Sequence, residues 1–205
     1  TLGFVLHLLE DVSVPDHTRN DPHPHSLESV TGETGSPFEE YLKRWNRLNL
    51  TDVATGLKQR GEAPMMQNSI EDYIDLLARY SNRYFFSKDT INDPDYENPK
   101  IIRDDEYFGY GIDENNREFP LVTIEIEQNQ DGSGFVKYFS LASELDSYPI
   151  FNAYFDRLSK KTVLYGAGVI DLFHKQAADA VINKDFPTHI VQYDSSFLNF
   201  NIFSP

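Results

Sequence analysis

The first nine residues, TLGFVLHLL, constrain the folding of this chain more than any other segment. Leu2, Leu6 and Leu9 fall on one helical stripe with Val5 beside them, and Thr1 stands where an N-cap would. A helix this apolar holds in water only when other elements cover most of its sides. The protein therefore has to bring further helices against its own beginning. The sequence reads as a piece of a longer protein whose upstream partner segments precede Thr1.

Composition narrows what such a helical assembly does. Its 205 residues are enough for one domain with a sizeable core. With 18 Lys and Arg against 33 Asp and Glu, the net charge is −15. That argues against sequence-independent binding of duplex nucleic acid or an anionic membrane through a basic face. It leaves open an enzyme that meets phosphate through bound metal, because the cation then supplies the local positive charge. The absence of cysteine removes disulfides, thiolate zinc sites and thiol nucleophiles. No apolar run approaches the ~18 residues of a membrane span.

Along the chain, the polar stretch from Asp16 to Ser36 is a long loop rich in His, Asp, Pro and Gly. Ser36-Pro37 opens a helix through FEEYLKRWNRL, with Glu39 and Glu40 near its positive end. Thr51 to Gln59 forms a short helix, and Ser69 caps another that carries Ile70, Tyr73, Ile74 and Leu77 on one face. The acidic segment from Asp93 to Asp105 is a solvated loop. Three strand-like runs follow, Tyr107–Ile112, Phe119–Glu127 and Phe135–Leu141, joined by turns at Asp113-Glu-Asn-Asn and Gln130-Asp-Gly-Ser-Gly. Helical spacing returns from Ile150 to Ala180, where Gly166-Ala-Gly168 fits close packing of helices better than a nucleotide loop. Thr188 to Phe203 alternates again. The expected organisation is a mainly α domain over 1–180 with an antiparallel meander inserted at about 105–141, and a β-rich segment over 181–205.

The chemistry concentrates in His7-x3-Asp11-x5-His17, with His23, His25 and Glu39 close behind. His7 and Asp11 lie one helical turn apart on a shared face, and imidazole with carboxylate suits zinc at about 2.0–2.2 Å. With Leu6, Leu8 and Leu9 as neighbours, both are expected to point inward or into a cleft, where a buried carboxylate needs a cation or donors. The helix ends before Pro15, and the following bend is expected to turn His17 back to the same place.

LGFVLHLLEDVSVPDHTRND resembles the core motif of the zinc-dependent phospholipase C and single-strand nuclease superfamily, and SPFEEYLKRW, ARYSNRYFFSKDTI and LYGAGVIDLFHK resemble segments of a bacterial branch of it. The resemblance covers most of residues 1–90 and 162–175. It implies a helical fold of that type and a zinc-dependent hydrolase of phosphoric esters, phospholipid ahead of nucleic acid. It also implies a secreted, periplasmic or lipid-anchored location, with peripheral membrane contact. Carried over by motif, His7 matches the first-helix ligand, Asp11 the bridging carboxylate, and His17 and Glu39 ligands of a further zinc. The position four before Glu39 is Gly35 rather than His, so His23 is expected to substitute for it, with His25 as the rival. The remaining family ligands, and the general acid or base, would lie upstream. Their absence here, with the missing histidine, gives the rival expectation: a catalytically degenerate secreted or surface-anchored binding protein.

Overall fold

The computed structural model describes residues 1–21, 36–43, 47–91, 93–129, 131–141, 148–182, 190–193 and 200–203. His23, His25 and Trp45 lie outside these residues. The helices are α1 (Leu2–Asp11), α2 (Pro15–Thr18), α3 (Pro37–Leu42), α4 (Arg47–Gln59), α5 (Ile70–Tyr84) and α6 (Tyr148–Ile182). The strands are β1 (Arg103–Asp104), β2 (Phe108–Ile112), β3 (Glu118–Gln128), β4 (Phe135–Ser140), β5 (Ile190–Tyr193) and β6 (Phe200–Phe203).

Local chemistry sets the helix starts. The Ser36 hydroxyl accepts from the Glu39 N–H at 3.2 Å, and Ser69 does the same for Asp72 at 3.1 Å. Thr1 makes no such bond. Strands β1 to β4 form one antiparallel sheet in sequence order, while β5 and β6 pair separately. Two turns need the left-handed region: Asn116 at φ 58° between β2 and β3, and Gly132 at φ 72° between β3 and β4. A register shift at Gly109/Tyr110 helps curl the sheet.

Helix α6, 35 residues long, is the spine. Its first half sends Ile150, Phe151, Tyr154, Phe155 and Leu158 into a core with Phe38, Tyr41, Phe85, Phe86, Phe119, Leu121, Val122 and Leu141. Its second half gives Tyr165 and Val169 to a smaller cluster with Leu9, Tyr73 and Leu77. Tyr154 stitches the layers, since its buried hydroxyl donates to the Leu121 carbonyl at 2.9 Å and accepts from the Phe86 N–H at 3.1 Å.

This corrects the expected mainly α, phospholipase-like fold with a sheet inserted into it. The chain is an α+β protein: a curled four-strand half-barrel packs on the long helix. The reason is in the core. Phe119, Leu121 and Val122 of β3 are at most 5 % exposed and share one cluster with the helical aromatics. The sheet is thus half of the main core and cannot be detached from it without exposing both layers.

The turn after β2 is bound to α6 by charge. Asp113 meets Arg157 at 3.0 Å and Arg117 at 2.8 Å, and accepts the N–H groups of Asn115 and Arg117. Burial pushes its carboxyl up, but these donors outweigh it and bring the pKa down from 3.8 to about 2. A carboxyl depressed in the folded state stabilises fully above its unfolded value and loses that contribution as pH falls from 3.8 through about 2. Replacing Asp113 with Asn should therefore flatten the acid limb of the stability curve by about 2 kcal/mol. Denaturant melts between pH 5 and pH 2 (a range bracketing ~2–4) check this, and an equally steep limb in the variant overturns it.

Candidate metal centre

The candidate ligands are carried by three short helices, His7 and Asp11 by α1, His17 by α2 and Glu39 by α3. Pro15 fills the first turn of α2, where its fixed φ suits a helix start. Residue 19 then locks the turn in place. Arg19 is fully buried and donates through Nε to Thr90 Oγ1 at 2.6 Å, through Nη1 to the Asn82 carbonyl at 2.8 Å and through Nη2 to Asn98 Oδ1 at 2.7 Å. Its guanidinium carbon lies 4.9 Å from the Tyr96 ring centroid. The Asn82 amide donates to the Thr18 carbonyl at 2.7 Å, and the Ser81 hydroxyl to the Val12 carbonyl at 2.6 Å. Helix α5 thus holds α2 at several points.

With α2 fixed, His17 Nε2 lies 3.2 Å from Glu39 Oε1 on α3, the two side chains being half-buried. The hydrogen bond to Glu39 raises the imidazole pKa above its usual 6.5 against the opposing effect of burial, and the charges of Glu39, Asp11 and Asp16 add to the rise. The carboxylates of Glu39, Asp11 and Asp16, whose charges all act on this imidazole, make the place one that attracts cations.

His7 and Asp11 occupy the other side of α1. Their side chains are 68 % and 37 % exposed, with His7 Nε2 3.8 Å from Asp11 Oδ2 and Nδ1 4.0 Å from Glu10. The expectation that they point inward is corrected by helix phase. At about 100° per residue, His7 and Asp11 lie roughly 130–170° round from the centre of the Leu2, Leu6 and Leu9 stripe. That stripe is the face packed on α5 and α6. His17 and Glu39 are therefore brought together, and His7 and Asp11 with each other. His23 and its rival His25 lie outside the described residues.

The donor chemistry can be set against zinc directly. Two ligands each about 2.05 Å from a tetrahedral zinc stand about 3.3 Å apart. His17 and Glu39 stand a hydrogen bond apart at 3.2 Å, a separation that would also admit one edge of such a site and two of its four ligands. Among the described residues, no group of three or more His, Asp or Glu is assembled to hold a metal. A cavity lined by Asp16 and Phe38, the sequence neighbours of the pair, with Ser87 and Tyr154, is about 10 Å³, room for one water at most.

Sequence reasoning missed Arg19, the residue that fixes His17. Nothing in DHTRND distinguishes a buried arginine from a solvated one, because its partners come from positions 82, 90 and 98. No family model, curated protein or solved structure matches the chain. Among the described residues, no helix is long and apolar enough to cross a membrane.

Proposed function

We propose that this protein is a zinc-dependent phosphoric-ester hydrolase, acting on phospholipid in preference to single-stranded nucleic acid, whose metal centre forms around His17 and Glu39. The observation that carries the reading is the 3.2 Å approach of an imidazole nitrogen and a carboxylate oxygen from separate helices. The resemblance of the opening motif supports it, and His23 is the proposed further ligand. An extracytoplasmic location with peripheral membrane contact belongs to the same reading.

Bound zinc would polarise the phosphoryl oxygens and supply a water acidic enough to attack at neutral pH. The chain's own contribution is to present the ligands. Arg19 and α5 fix the helix that carries His17, and the Ser36 cap fixes the one that carries Glu39. Glu39 favours protonated His17 in the absence of metal, so metal has to displace that proton and uptake should rise with pH.

Zinc titration of the metal-stripped protein should give saturable uptake, weakened by about tenfold or more in His17→Ala and in Glu39→Gln. Hydrolysis of a chromogenic phosphodiester should disappear with chelator. Zinc uptake indifferent to His17→Ala overturns the centre, and hydrolysis indifferent to chelation overturns the metal reaction.

A second reading, a binding or structural protein without catalysis, is favoured by one fact: His17 and Glu39 already make a hydrogen bond that needs no metal. A chain that takes up no zinc supports it.

A further inference from the structure

Charge balance makes an unmatched cation conspicuous in this chain, which has 33 acidic side chains for 18 basic ones. Ten described lysines and arginines sit in carboxylate pairs, from Lys43 with Glu40 to Lys175 with Asp171. Arg83 and Lys100 do not pair with a carboxylate among the described residues, and both line the same cavity of about 190 Å³. It lies where the end of α5 faces residues 97–100 and the strands β2 and β3.

We propose that this cavity binds a small organic monoanion: a carboxylate held by Arg83 and Lys100, with an apolar body against the apolar lining. The apolar part of the lining comes from Tyr84, Pro99 and Ile112, with the buried Phe119 and Leu121 behind them and the Tyr84 ring beside Arg83. At Gly111 the backbone packs directly on the side chain beneath, since a Cβ there would come within 2.9 Å of Leu121 Cδ2. Glu97 also lines the cavity. Two cations and one carboxylate leave a net charge of +1, which suits a monoanion and disfavours the dianionic form of phosphate. The volume is below the ~300–1,000 Å³ of sites for drug-sized molecules, so the body is no larger than a single ring. Arg83 supplies a planar fork that matches a carboxylate, and Lys100 a point charge.

The cavity contains neither His17 nor Glu39, so it can be tested on metal-free protein and stands or falls apart from the zinc reading. Benzoate is the probe. Titrated into isotope-labelled protein, it should shift the backbone resonances of Gly111 and Lys100 saturably. The double variant Arg83→Gln, Lys100→Gln should bind about tenfold more weakly or worse, whereas Glu97→Gln should bind several-fold more tightly. All three residues reach the surface, and circular dichroism checks that the variants remain folded. Inorganic phosphate, which has charge without an apolar body, should bind more weakly than benzoate. Non-saturating shifts overturn the site, as does wild-type affinity in the double variant. Phosphate binding more tightly than benzoate overturns the organic monoanion.

Discussion

Replacing Arg19 with Ala should destabilise the protein by about 3–5 kcal/mol, a large part of the whole stability of a domain this size. The guanidinium is fully buried and its three hydrogen bonds end on Thr90 Oγ1, the Asn82 carbonyl and Asn98 Oδ1. Truncation would take that donor from the Asn82 carbonyl and Asn98 Oδ1, leave Thr90 Oγ1 with the Ser87 hydroxyl at 2.8 Å, and empty the space beside the Tyr96 and Phe86 rings. Burial lowers the pKa of Arg19, the sign of a charge held at a desolvation cost that only good hydrogen bonds offset. Arg19→Lys should recover part of the loss, because it keeps the charge without the fork that reaches three partners. The midpoint of urea unfolding, at unchanged slope, measures both. A loss below about 1 kcal/mol for Arg19→Ala would mean that water satisfies the acceptors left behind. Because α2 hangs from this residue, Arg19→Lys should also lower zinc uptake with neither His17 nor Glu39 altered.

Local signals in the sequence were legible wherever the deciding partner stands a few residues away. Ser36 and Ser69 cap their helices because each cap needs only the N–H three positions on. The runs before and after Asp113 and Gly132 pair as strands because the turn residues lie between them. The role of the sheet was not legible in the same way. Alternation at Val122 and Ile124 says that one face is buried, but not that Tyr154, about thirty positions later, completes the layer through the Leu121 carbonyl. His7 shows a different failure. Its sequence neighbours Leu6 and Leu8 imply burial, whereas the phase of the Leu2, Leu6 and Leu9 stripe puts it on the opposite face. In a helix, phase decides. The resemblance of the opening motif implies the approach of His17 to Glu39, yet the buried arginine that makes it possible left no local trace. The closeness of His17 and Glu39 was thus readable and its support was not, since the support is built from contacts more than 60 positions apart.

Gly168→Ala should cost about 3 kcal/mol, while Gly166→Ala, two residues earlier on the same helix, should be neutral or stabilise by up to about 1 kcal/mol. The helix propensity of alanine favours both substitutions equally, so the difference isolates packing. A Cβ at position 166 would find Leu6 and Leu9 methyls at 3.8 and 3.9 Å, ordinary contact distances. At position 168 it would fall 1.9 Å from the Met65 carbonyl oxygen and 2.7 Å from the Tyr73 hydroxyl. Neither group can move away alone. Met65 is tied to α6 by its own N–H, which donates to the Leu164 carbonyl at 3.1 Å. Tyr73 is fully buried, and its hydroxyl accepts from the Gln67 N–H at 2.9 Å. Relief therefore requires lifting residues 65–67 off α6 or rotating Tyr73 out of the cluster it shares with Leu9, Leu77, Tyr165 and Val169. Since α1 packs on that same cluster, the damage should spread to the opening helix. Amide hydrogen exchange should then show faster opening of α1 in Gly168→Ala than in Gly166→Ala. Equal stability of the two variants would mean that the segment carrying Met65 does not press on α6 in solution.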